Sequence, residues 1–209
     1  MPKSATISGV QFEHFIQSSF RIKGSGTVVY IDPHRIASGD TADLVLVTHE
    51  HYDHMDAASI KAVEGPDTVV VANAPCARQL QGKVGSRIVS IEEGHTVNEK
   101  GIQVRAVAGY NNVHPRGSNV GFLFGLGGLT IYHAGDTGRV PEMASLGPID
   151  VALLPIGGTY TMNEKEAADA ANDVRPKVVV PMHYGYATGG DPRKFASLVG
   201  NAAEVVILE

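Results

Sequence analysis

The apolar residues of this chain come in short runs closed by Gly, Pro, Asn or Asp, with few stretches at helical spacing. Runs at Phe20–Ile22, Thr27–Ile31, Leu44–Val47, Val69–Ala72 and Arg87–Ile91 read as strands. Gln103–Val107, Gly121–Phe124, Leu129–Tyr132, Val151–Leu154, Val178–Pro181 and Glu204–Leu208 read the same way. Lys23-Gly24-Ser25-Gly26 and Gly125-Leu126-Gly127-Gly128 separate pairs of runs and predict hairpin turns. Helical spacing is confined to Ala57–Val63, Cys76–Gln81, Lys165–Val174 and Pro192–Val199, the last two opened by Asn163 and by Asp191-Pro192.

The pattern also repeats. Val28-Val29-Tyr30-Ile31-Asp32 resembles Thr130-Ile131-Tyr132-His133, which leads to Asp136. Ala42-Asp43-Leu44-Val45-Leu46-Val47 matches Ile149-Asp150-Val151-Ala152-Leu153-Leu154, and at the same spacing Met55-Asp56 matches Met162-Asn163. Val69–Asn73 parallels Val178–Met182. Two halves in the order strand, strand, helix, strand predict a duplicated α/β unit. The loops after Val47, Leu154 and Met182 then lie at equivalent strand ends, where α/β folds bind ligands.

The length of 209 residues predicts one domain, 1–209. With 43% hydrophobic and 19% charged residues, a disordered or coiled-coil chain is excluded. Seventeen basic against 22 acidic side chains, a net charge of −5, argue against a polyanion-binding surface. One Cys excludes a disulfide framework or a multi-Cys zinc site. The N-terminus lacks signal-peptide features, and the longest mostly apolar stretch, Val120 to Tyr132, is too short to span a bilayer. The expectation is a cytoplasmic protein acting on a small molecule, with no nucleic acid or membrane as partner and its oligomeric state open. Neither a phosphate-cradling G-x-x-x-x-G-K loop nor a G-x-S-x-G nucleophile motif occurs.

The chemistry concentrates in the nine histidines. Three of them fall in Thr48-His49-Glu50-His51-Tyr52-Asp53-His54, directly after the run Leu44–Val47. In an extended segment His49, His51 and Asp53 share one face, and a turn at Asp53-His54 brings His54 to the same pocket. Imidazole and carboxylate donors without thiolate suit zinc, manganese or iron. Four donors in so short a segment crowd a single ion and point to two.

H-x-H-x-D-H after a strand resembles the motif of the metallo-β-lactamase superfamily, and the rest of the chain follows that family's order. The resemblance implies a four-layer αββα sandwich built from two similar halves. It implies one divalent ion on His49, His51 and His114, a second on Asp53, His54 and His183, and Asp136 bridging them. Zinc is the first expectation, manganese or iron the alternatives. Asp32, in Tyr30-Ile31-Asp32-Pro33, matches a buried carboxylate behind the ligands. Gly157–Asn163, Tyr110-Asn111 ahead of His114-Pro115, and Lys177–Tyr184 are similar to small metal-dependent hydrolases related to the ascorbate-6-phosphate lactonases. That subfamily carries G-H-[ST]-x-[FL] near its N-terminus; here the stretch is Ile16-Gln17-Ser18-Ser19-Phe20, with Gln17 replacing the His, so an N-terminal contribution to the site stays open.

Two cations near a shared water lower its pKa toward neutrality and make a bridging hydroxide available as nucleophile. The expected activity is hydrolysis of a small lactone or ester, or of a phosphodiester, with Asp53 orienting the hydroxide and shuttling its proton. A metal-binding structural or sensing module without turnover, and a metal-dependent nuclease, are the alternatives. Thr48, Asp32 and His133 are expected to orient ligands from behind. Arg116, Tyr160 and Thr161 are candidates for substrate contact. His14, His34 and His95 are expected at the surface, and Cys76 as a small buried hydrophobe.

Overall fold

Four tight turns set the frame. Ser8-Gly9, Ser25-Gly26, Lys100-Gly101 and Gly127-Gly128 each place two consecutive residues at positive φ, between +46° and +83°. That is the backbone of a type I′ turn, whose twist matches that of paired antiparallel strands. In the computed structural model, which describes residues 3–208, each turn closes a hairpin.

The first sheet runs in chain order through β1 (Lys3–Ile7), β2 (Val10–His14), β3 (Phe20–Gly24), β4 (Thr27–Ile31), β5 (Leu44–Val47), β6 (Val69–Asn73) and β7 (Arg87–Ile91). The second contains β8 (Thr96–Glu99), β9 (Ile102–Gly109), β10 (Asn119–Leu126), β11 (Leu129–His133), β12 (Val151–Pro155), β13 (Val178–Met182) and β14 (Glu204–Val205), also in chain order. In each sheet the first three pairings are antiparallel and the last three parallel. The crossovers carry α1 (Ala57–Val63) and α2 (Ala74–Leu80) in one half, α3 (Glu164–Val174) and α4 (Pro192–Val199) in the other.

The repeat extends to single bonds. Val29 pairs with Leu44, and Ile131 with Val151. Asp43 accepts from the Val28 N–H at 2.8 Å, and Asp150 from the Thr130 N–H at 2.7 Å. These are the residues that the sequence repeat superposes, so the two halves share register as well as strand order.

The layers follow from burial. Phe12, Phe20 and Ile22 of the first sheet share one buried cluster with Val104, Phe122 and Phe124 of the second. The cluster continues to Ala167, Ala170 and Phe195 of α3 and α4. Tyr30, Val45 and Val70 face the other way and pack with Ile60, Cys76 and Leu80 of α1 and α2. Helices therefore cover both outer faces of a sheet pair, the expected αββα arrangement. Among the described residues, no helix is long and apolar enough to cross a membrane.

Three strands escape the hydrophobic pattern. β1 is a sheet edge whose residues are exposed or half-buried, and β8 carries one apolar residue, Val97. β2 does alternate, with Val10, Phe12 and His14 buried, but its central polar positions mask so short a run. The predicted run Glu204–Leu208 contracts to the two-residue β14. Two histidines expected at the surface are buried: His14 stacks on Phe20 at 4.6 Å, and His34 lies beneath Tyr52.

Candidate metal centre

The carboxyl ends of the parallel strands in both sheets meet at one edge. Asp32 follows β4, the His49–His54 segment follows β5, Asp136 follows β11 and His183 follows β13. His114 arrives on the loop between β9 and β10. Side chains far apart in the chain thus come together because seven-stranded sheets with the same strand order face each other.

The donor atoms fall into three groups within which every atom lies within 4.8 Å of the others. One group is His49, His51 and His114; another is Asp53, His54 and His183; the third, His49, His54 and Asp136, lies between them. Around Asp136, Oδ2 is 3.0 Å from His183 Nε2, 3.8 Å from His114 Nε2 and 3.9 Å from His49 Nε2, while Oδ1 is 3.4 Å from His54 Nε2. All but His51 are buried. His54 Nε2 and Asp136 Oδ1 are inaccessible and lack a hydrogen-bond partner among the described residues. Unpaired buried polar atoms are costly, so their convergence here fits a cation-binding set.

The ring tautomers follow from the atoms behind the site. Asp32 accepts from the Thr48 N–H at 2.8 Å, from Thr48 Oγ1 at 2.7 Å and from His54 Nδ1 at 2.7 Å. Thr48 spends its only hydroxyl proton on Asp32, so at the 3.0 Å contact His49 Nδ1 must be the donor. His49 and His54 therefore each present Nε2 inward. His114 Nδ1 donates to Asn111 Oδ1 at 3.2 Å, again leaving Nε2 for the site. His133 is fully satisfied: Nε2–H donates to the Ser18 carbonyl at 3.0 Å, and Nδ1 accepts from the Gly135 N–H at 3.2 Å. It holds the backbone that carries Asp136. Gly135 itself sits at φ +63°, and a Cβ there would approach Asn119 Oδ1 to 2.6 Å.

Burial, reinforced by the neighbouring His54, holds His49 well below the ordinary imidazole range. Burial lowers His114 as well. For His54 burial acts in the same direction, but Asp136 and Asp32 overcome it and raise the ring well above its usual value. Burial alone would raise the Asp136 carboxyl; His54 and His183 reverse this and hold it well below the carboxylate range.

The segment bearing Gln17 does reach the site. Gln17 is buried, its carbonyl accepts from the His183 N–H at 2.8 Å, and its Nε2 lies 3.4 Å from Asp53 Oδ2 and 3.3 Å from His183 Nε2. Gln17, Asp32 and His183 all occupy left-handed backbone, at φ +53°, +45° and +55°. Left-handed non-glycine backbone tends to cluster at functional sites, and these three residues lie together around the donor groups. Asn111 is a second residue the sequence reading did not assign to the site. Its Oδ1 accepts from the His114 N–H at 2.8 Å and its Nδ2 donates to the Tyr160 carbonyl at 2.9 Å, a role hinted at only by an Asn three residues before a His.

The three candidates for substrate contact separate. Tyr160 lines a cavity of about 400 Å³ above the donors, together with Tyr52, Val113 and Ala187. Thr161 is turned inward, its hydroxyl facing the Met162 carbonyl at 3.4 Å. Arg116 points away from the cavity: Glu93 and Glu142 hold its guanidinium at 2.5 and 2.8 Å.

Comparison with known proteins agrees with this geometry. Residues 11–183 match the family model for the beta-lactamase superfamily domain. A UPF0173 metal-dependent hydrolase from Thermococcus kodakarensis is 39% identical, over 92% of this chain and 93% of that protein. Among solved structures, Igni18, a metallo hydrolase from Ignicoccus hospitalis, superposes with a TM-score of 0.81 at 31% identity, covering 96% of this chain and 95% of that one. A protein from Parabacteroides distasonis reaches a TM-score of 0.88 at 29% identity, covering 100% and 98%. The chain therefore belongs to the metallo-β-lactamase superfamily and, within it, to the UPF0173 metal-dependent hydrolases.

Proposed function

We propose that the protein is a two-metal hydrolase of a small lactone, ester or phosphodiester. His49, His51 and His114 would hold one divalent ion; Asp53, His54 and His183 would hold the other, with Asp136 shared. The observation that carries this reading is the pair of nitrogen- and oxygen-donor groups flanking one carboxylate, with His54 Nε2 and Asp136 Oδ1 buried 3.4 Å apart between them, neither with a hydrogen-bond partner among the described residues. All-nitrogen and oxygen donors favour zinc, with manganese or iron as alternatives.

Bound ions would supply water of near-neutral pKa and an electrophile for a carbonyl or phosphoryl oxygen. The chain's own contribution is positional. Asp53, on the cavity floor, is the carboxylate placed to accept a proton and orient the attacking water. Gln17 steadies Asp53 through its amide, and Asp32 with Thr48 fixes the rings of His49 and His54. Purified protein should carry close to two equivalents of metal and turn over esters or phosphodiesters only when loaded. At most one equivalent, with single-ion kinetics, refutes the two-metal reading.

The charges also predict a proton release. His54 is held protonated by Asp32 and Asp136, with Asp53, His49 and His183 around it, and ligation through Nε2 requires the neutral ring. Calorimetric titration of chelator-treated protein with zinc at pH 7 should show a heat that varies with buffer ionisation enthalpy, reporting net proton release.

The same shifts set a stability profile for the chelated protein. His49, His114, His133 and His14 are depressed in the fold, so stability should rise with pH through about 6.5 and level off above it, once the unfolded rings have lost their protons. The contribution of His54 has the opposite sign. It is fully present below about pH 6.5 and is lost as pH climbs through the raised pKa of the folded ring. Thermal melts in chelator should therefore peak near neutrality, and a monotonic rise to pH 9 would contradict the charged His54.

A further inference from the structure

Five large hydrophobic side chains are exposed among the described residues, and four of them, Tyr52, Val113, Tyr160 and Tyr186, gather around the candidate centre. Tyr52, Val113 and Tyr160 line the cavity with the metal donors, and Tyr186 stands on the loop after β13 that carries His183. They come from four separate loops, so the fold assembles the patch; no single apolar run produces it. Clustered exposed apolar surface beside convergent polar groups is the signature of a ligand site.

The wall is also held in place. The His34 ring meets Tyr52 edge-on at 5.8 Å, the Arg35 guanidinium lies 4.7 Å over the Tyr186 ring, and Asn111 ties down the Tyr160 carbonyl. Side chains already fixed lose little freedom on binding. Charge points the same way. Among the described residues no Lys or Arg lines the cavity; the Arg35 guanidinium is engaged over the Tyr186 ring, and Arg116 is occupied by Glu93 and Glu142. Arg and Lys are the side chains that most often bind phosphate groups, so a cavity walled by Tyr and Val suits an uncharged body better.

Resting on the hydrolytic reading of this same site, we infer that its substrate is a neutral ester or lactone with an apolar, aryl-sized body. The body lies against Tyr52, Val113 and Tyr160 while the reacting carbonyl reaches the donors below. A phosphodiester is correspondingly disfavoured.

The test uses the purified full-length protein, as loaded with zinc or manganese and after chelation. Rates are measured on 2-naphthyl acetate, butyrate and hexanoate, and on 2-naphthyl phosphate and bis(4-nitrophenyl) phosphate. Binding of 2-naphthol, neutral and with no bond to cleave, is followed by calorimetry in both forms. Across the ester series kcat/KM should rise about fourfold per methylene until the wall is covered. Val113→Lys, at an exposed position where folding is not at stake, should lower ester turnover about tenfold and raise phosphate turnover. Tyr160→Ala should weaken 2-naphthol binding to a similar degree with or without metal.

Phosphate turnover with the esters untouched overturns the inference and leaves the hydrolytic reading standing. So does 2-naphthol binding that is absent or indifferent to both substitutions. Failure of every ester and phosphate, with 2-naphthol still bound and weakened by the substitutions, overturns the hydrolytic reading and supports the apolar wall.

Discussion

Asp136→Ala should strip the protein of metal at both proposed positions and reduce turnover far beyond the roughly 10- to 100-fold that follows loss of an outer partner of a ligand. Asp136 is the carboxylate nearest all the donors, lying within 3.0 to 3.9 Å of His183, His54, His114 and His49. Removing it takes the shared carboxylate from His49 and His114 and leaves Asp53, 3.8 Å from His54 and 3.9 Å from His183, as the carboxylate remaining in the donor groups. In chelated protein the same change breaks the buried ion pair with His54 and the 3.0 Å contact with His183; breaking a buried ion pair costs about 3–5 kcal/mol. Elemental analysis and urea denaturation would measure the two effects separately. Asp136→Asn preserves volume and should lose metal with a smaller loss of stability. Two equivalents of metal retained by Asp136→Ala would show that the ions lie elsewhere.

Asp32→Ala should also weaken the site, though less than Asp136→Ala, even though Asp32 belongs to none of the three donor groups. Its carboxylate receives three hydrogen bonds, from the Thr48 N–H, Thr48 Oγ1 and His54 Nδ1, and it is fully buried. Alanine there leaves the Thr48 N–H and His54 Nδ1–H buried and unsatisfied, each at about 1–3 kcal/mol. It also frees Thr48 to reverse its hydroxyl and donate to His49 Nδ1, which would turn the wrong tautomer toward the site. Metal affinity should fall about 10- to 100-fold even where the variant still folds. Thr48→Val provides the milder comparison, since it removes the hydroxyl link but keeps the Asp32–His54 bond. Equal metal affinity in wild type and Asp32→Ala would mean that ring orientation is set by something other than this carboxylate.

The duplicated architecture was legible because each half repeats not only apolar strands but also the residues that lock them. Asp43 and Asp150 stand just ahead of equivalent strands, and each accepts a backbone N–H from the preceding strand. Uninterrupted apolar runs such as Leu44–Val47, buried at every position, can only be central strands. The edges were not legible. β1 and β8 owe their strand conformation to pairing with β2 and β9, and their own residues carry little apolar signal. His14 and His34 illustrate the same limit: a lone His in sequence carries no mark of what will cover it.

For the site, the dense segment from His49 to His54 identified itself, because several nitrogen and oxygen donors so close together have few other uses. Residue type and spacing thus determined the chemistry. Which outlying residues join them was a matter of strand order. His114, Asp136 and His183 meet that segment because two sheets of identical topology present their strand ends at a common edge.

Tertiary structure alone decided three further points. Gln17 entered the site through a left-handed backbone that its sequence context does not announce. Arg116 was drawn away by Glu93 and Glu142, carboxylates 23 and 26 positions distant in the chain. Tyr52, Val113, Tyr160 and Tyr186 became a wall only when four loops converged. The division has a physical reason. Donor identity and apolar runs are local properties, readable residue by residue, whereas ion pairing, burial and cavity shape depend on distances that exist only after the chain has folded.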